Sequence, residues 1–106
     1  MEEYVQIVTS TRTKKNAEKI ADTLVQNRLA ACVQIVGPIA SVYQWKEKIE
    51  RTTEWLCVVK TRRDFYKEVE ASILRNHTYE VPEVLATPVV EGFESYLTWV
   101  DKELRR

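Results

Sequence analysis

The sequence predicts an α+β fold whose elements run in the order β-α-β-β-α-β-α. Three observations predict it. Residues 4–8, YVQIV, alternate in the manner of a half-buried strand. Two later segments place apolar side chains along a single helical stripe. Between those stripes lies a long extended stretch, from about Ala31 to Thr61, that turns back on itself once at KEK, residues 46–48. With right-handed crossovers, this order is the ferredoxin-like split βαβ arrangement, here with a long β2-β3 hairpin and an additional C-terminal helix. The 106 residues make one domain, 1–106.

The first strand ends in a loop, STRT, whose Thr13 is placed to cap a helix. Ala17, Ile20, Ala21, Leu24 and Val25 then fall on one face of a helix over about residues 14–27. The second strand opens near Ala31 with AACVQIV. Gly37-Pro38 interrupts it, which predicts a bulge and not an end. IASVYQW continues it, and IERTTEWLCVVKT returns as a third strand. Both exceed the roughly 5–6 residues of an ordinary strand.

Thr61-x-x-Asp64 resembles a helix entry, and Phe65, Tyr66, Val69 and Ile73 give the second helix its stripe, ending near Arg75 or Asn76. EVLATPVV, residues 83–90, reads as a fourth strand. Pro88 assigns it to an edge or a bulge, because proline has no N–H for an inner ladder. Gly92 breaks the chain before FESYLTWVDKELRR, a third helix with a basic last turn. Two helices on one sheet face leave the other bare. Such a face must be polar or covered, and the third helix can cover only part of it.

Composition narrows the function. Sixteen basic and sixteen acidic side chains cancel, so no overall field draws in nucleic acid or an anionic membrane. An RNA reader of the same element order would stack bases on central-strand aromatics, where this chain has Cys57, Val58 and Val59. No apolar run approaches the roughly 20 residues of a membrane span. The acidic start, MEEYVQIV, does not resemble a secretory signal. Cys32 and Cys57 sit among apolar neighbours and read as reduced, buried thiols, and the expected location is the cytoplasm.

Catalytic signatures are few. The chain has two glycines and no Gly-rich phosphate loop, and no nucleophile stands beside a base in sequence. The nearest anion cradle is Arg12, Lys14 and Lys15 at a helix start, a pattern that solvated side chains also produce. No enzymatic reaction is expected.

Two features remain. Tyr43 and Trp45 lie two apart on one hairpin arm, with Trp55 on the other. Strands this long overhang a small domain. The three aromatics either cap its core or pack against another copy, and the second reading is preferred because exposed aromatics on a long edge invite association. The second feature is RNHTYEVPE, residues 75–83, which holds the only histidine. His77, Glu80 and Glu83 are the imidazole and carboxylates this loop can offer a metal. The loop reads first as a structural connection and second as a weak metal site.

Three motifs in order resemble the CutA divalent-cation tolerance family. They are NRLAACVQIVGPIASVYQWKEKIERTTEWLCVVKT, NHTYEVPEV and GFESYLTWV. The resemblance implies a PII-like homotrimer assembled through the long hairpins and tolerance of copper or another divalent cation, with no required cofactor. A signalling or scaffold module linked only indirectly to metals is the alternative. The chain departs from the family at Thr78, where proline is usual, and at Glu47, where a turn glycine is common, which predicts a different turn. The first strand also lacks the cysteine that some members carry, which weakens a thiolate copper site.

Overall fold

A computed structural model describes residues 3–105. Strand β1 (Tyr4–Thr11) leads to helix α1 (Lys14–Gln26), and β2 (Cys32–Trp45) and β3 (Lys48–Arg62) form the hairpin. One 3-10 turn (Arg63–Phe65) enters α2 (Tyr66–Asn76), followed by β4 (Leu85–Pro88) and α3 (Glu94–Glu103). The four strands lie in the order β2-β3-β1-β4, and every adjacent pair is antiparallel. This is the predicted ferredoxin-like topology.

Alternation along the strands builds the core. Val5, Ile7 and Thr9 on β1 and Cys57, Val59 and Thr61 on β3 are buried. They share the core with Ala17, Ile20 and Leu24 of α1 and with Val69 and Ile73 of α2. Thr13 caps α1, its hydroxyl accepting from the Asn16 amide at 3.0 Å. Arg28 takes the left-handed conformation that closes the helix, at φ 56°. Val25 falls at the margin of the predicted stripe and is exposed.

Some elements differ from expectation. Thr61 does not cap α2. It is a buried β3 residue whose hydroxyl donates to the Leu29 carbonyl at 2.7 Å, and α2 begins after Phe65 with no side-chain cap. β4 has four residues, not eight, although it lies at the edge that Pro88 requires. Cys32 is only partly buried, whereas Cys57 is fully buried; both thiols are free.

The hairpin pairs from Cys32↔Lys60 to Trp45↔Lys48, with a register shift between Val36 and Ile39 where Gly37-Pro38 makes the predicted bulge. Pairing of Trp45 with Lys48 leaves a two-residue tip. Lys46 and Glu47 both adopt positive φ, 52° and 67°. Glu47 therefore takes the conformation a glycine would serve, because the ladder on both sides imposes it. The arm stretches the molecule to 44 Å against 26 and 22 Å in the other directions.

The face away from α1 and α2 is apolar at its centre. Val8 pairs with Val58 on one side and Leu85 on the other, and Val36 pairs with Leu56. These positions alternate away from buried Ile7, Cys57 and Val59. α3 is fastened at the sheet's end: Arg62 on β3 meets Asp101 at 3.1 Å, and Arg28 meets Glu103 at 3.2 Å. Val36 stays 48% exposed and Leu85 58%.

Candidate functional site

The outer half of the hairpin and the connection between α2 and β4, residues 77–84, face each other across a cleft of about 730 Å³. Register builds its hairpin wall. Ser41, Tyr43 and Trp45 on β2 pair with Thr52, Glu50 and Lys48 on β3, so their side chains project from one face. The opposite wall carries Thr78, Tyr79, Glu80, Val81 and Glu83, and Ser10 and Arg12 also line the cleft.

His77 anchors the loop wall. It follows α2 in extended backbone, φ −87° and ψ 152°. The Ser10 carbonyl lies 2.8 Å from its Nε2, and the Tyr79 amide donates to its Nδ1 at 3.1 Å. An amide N–H can only donate and a carbonyl can only accept, so the ring is neutral with its proton on Nε2. Burial lowers its pKa below the ordinary 6.5; the Ser10 bond and the charge of Glu54 act in the other direction.

Tyr79 is the second anchor. Its hydroxyl donates to Glu54 Oε2 at 2.6 Å, and Glu54 is only 5% exposed although it carries a carboxylate. Burial, and then the bond to Glu54, hold the tyrosine hydroxyl well above its usual range. The Tyr79 ring lies 4.9 Å from the His77 ring, and the Arg12 guanidinium lies 5.7 Å from its centroid. A mid-strand carboxylate is thus buried with a loop tyrosine as its hydrogen-bond donor.

The candidate residues separate. Glu80 and Glu83 are exposed on the loop wall, while both nitrogens of His77 are engaged within the chain. Among the described residues, no three histidine, cysteine or acidic side chains gather closely enough to hold a metal.

The three aromatics separate as well. Tyr43 and Trp45 line the cleft, 40% and 37% exposed. Trp55 packs against the core, with Lys14 Nζ 5.9 Å from its ring centroid. Sequence reasoning did not single out Glu54 or Ser10. A charged residue between Thr53 and Trp55 in mid-strand was the available signal for Glu54; a backbone carbonyl leaves none.

Fold and cleft together define a ferredoxin-like α+β protein with an overextended hairpin and a carboxylate-lined groove beneath it. The CutA1 divalent ion tolerance protein model matches residues 5–103, and the chain belongs to that family. Protein CutA, chloroplastic, of Arabidopsis thaliana is 39% identical over 92 residues, which is 87% of this chain and 50% of that protein. The divalent-cation tolerance protein CutA of Thermus thermophilus is 38% identical over 100 residues, covering 94% of this chain and 95% of the relative. The crystal structure of CutA1 from the psychrotrophic Shewanella sp. SIB1 superimposes with a TM-score of 0.95 at 36% identity, covering 99% of this chain and 98% of that one. The chain spans about half the length of the plant and mammalian relatives it matches.

Proposed function

We propose that this protein serves in divalent-cation tolerance as a cytoplasmic homotrimer without a reaction of its own. Relatives matched over nearly their whole length carry the name divalent-cation tolerance protein, which supports the first part. The observation that carries the assembly is the unpartnered sheet face. Val8, Val36, Leu56, Val58 and Leu85 adjoin across four strands, and Val36 and Leu85 stand about half exposed. A contiguous apolar patch of this kind marks an interaction surface. Tyr43 and Trp45 on the overhanging arm add aromatic area beyond the domain's own core. In a cyclic assembly each copy's arm meets a different surface of the next, and three copies close the ring. Two free cysteines suit a reducing compartment.

The metal role divides into two readings. Among the described residues of one protomer no three donors gather, and the His77 ring is engaged on both sides. That favours a responsive module over a buffer built on this loop. Light scattering of metal-stripped protein, alongside calorimetric titration with copper and zinc, tests both parts. Three times the 12.4 kDa chain mass is expected, and Trp45→Ala should weaken the assembly. Copper and zinc titrations of His77→Ala should match those of the unmodified chain. A stable monomer at micromolar concentration overturns the trimer, and loss of stoichiometric binding in the variant restores His77 as a ligand.

A further inference from the structure

We propose that His77 is a proton-operated latch: protonation of its ring detaches the Tyr79 segment from β1 and β3 and opens the loop wall of the cleft. The proposal concerns regulation of the cleft and does not rest on the trimer, because every group it uses lies within one chain.

The geometry leaves one place for a second proton. Nε2 already carries a hydrogen, donated to the Ser10 carbonyl, so the free lone pair of the neutral ring is on Nδ1. That lone pair accepts the Tyr79 amide hydrogen at 3.1 Å. A proton arriving on Nδ1 sets N–H against N–H at hydrogen-bond distance, and one of the two must withdraw. The ring is held from the other side, since its positive charge strengthens the bond from Nε2–H to the Ser10 carbonyl. The Tyr79 backbone is therefore what moves.

Its displacement reaches the cleft directly. Tyr79 is two residues from His77, and its hydroxyl is the hydrogen-bond partner of Glu54 Oε2 at 2.6 Å. A shift of the Tyr79 backbone by the length of one hydrogen bond carries the phenol away from that carboxylate. Glu54 then regains water, and Thr78, Tyr79 and Glu80, all lining the cleft, move as one segment.

The groups around the ring set where the latch acts. Glu54 from β3 favours the charged imidazole, as does the Ser10 carbonyl from β1, while burial opposes it as the largest effect. Arg12, from the β1–α1 connection, lies over the Tyr79 ring, and the Tyr79 ring itself lies 4.9 Å from that of His77, tilted by 46°. α1 contributes an uncharged carboxamide, Asn16, which donates to the Asn76 carbonyl beside the histidine at 2.9 Å. The native ring thus holds its proton less tightly than the unfolded one. Stabilisation by the latch is complete above pH 6.5 and declines as pH falls through the lower native value.

The test uses the full chain, whose single histidine gives an unambiguous signal. Long-range nitrogen–proton NMR should show the Nε2–H tautomer at neutral pH. As pH is lowered from about 8 through the acid range the ring should titrate below 6.5, with the Tyr79 amide and phenol signals moving at the same midpoint. His77→Gln cannot take up the proton, and its loop signals should stay fixed over that range. In Tyr79→Phe the loop loses its tie to Glu54, releases more readily, and should raise the histidine midpoint. An Nδ1–H tautomer, Tyr79 signals that ignore the histidine titration, the same pH response in His77→Gln, or an unmoved midpoint in Tyr79→Phe would each overturn the latch.

Discussion

Gly37 shows how far a single position constrains the hairpin. A Cβ built there meets the Trp55 ring, within 2.9 Å of Cδ2 and closer still to Cε3, and that ring is already packed against the core. Gly37→Ala should therefore cost about 1–3 kcal/mol by overpacking, read as a lower urea midpoint at unchanged slope. The buried thiol makes a second prediction. Burial raises the Cys57 pKa from 9.0 to about 11, so its neutral form is favoured in the fold. That stabilisation is present below pH 9.0 and is lost as pH rises toward about 11. Cys57 should accordingly resist a thiol reagent at pH 8 and become reactive only on unfolding, at a rate that tracks global opening. Positions of this kind differ in how legible they are. Thr13 was readable as a cap because capping is local: its oxygen bonds an amide three residues on. Glu54 was not, because its hydrogen-bond partner lies 25 positions away in a loop.

Strands and helices were legible where their own period carried the information. The alternation in β1 and the stripes of α1 and α2 each bury a face, and the bulge in β2 follows from glycine and proline side by side. What failed was decided by pairing between elements. Thr61 looks like a helix entry, yet β3 extends through it because β1 pairs along the inner half of β3, from Tyr4↔Arg62 to Thr11↔Trp55. β4 looks eight residues long, but its ladder with β1 spans only Leu85–Pro88. The hairpin tip is likewise set by pairing: Glu47 is no glycine, yet the ladder on both sides holds it at φ 67°. That conformation has a measurable cost. A left-handed non-glycine residue is disfavoured by about 1–2 kcal/mol, part of which glycine returns as unfolded-state entropy. Glu47→Gly should then stabilise the chain by about 0.5 kcal/mol net, raising its melting midpoint by a few degrees.

For the whole molecule the unresolved demand is the apolar sheet face. A single copy leaves Val36 and Leu85 in water beside Val8, Leu56 and Val58, and holds two aromatics on an arm that its own core cannot reach. Sequence order revealed that this face would be bare; only the register showed that its centre is hydrophobic rather than polar. The demand distinguishes two outcomes for one substitution. If a single copy is the working unit, Leu85→Lys exchanges one exposed side chain for another and changes stability by about 0.5 kcal/mol at most. If copies associate through the face, the same lysine is desolvated without a partner, and association is lost while the fold of each copy remains. The expected result is a native circular-dichroism spectrum with a mass reduced from three chains toward one. Before substitution, the melting midpoint should rise with protein concentration, because association stabilises only the folded chain. In Leu85→Lys that dependence should disappear, and a midpoint independent of concentration in the unmodified protein would count against assembly through this face.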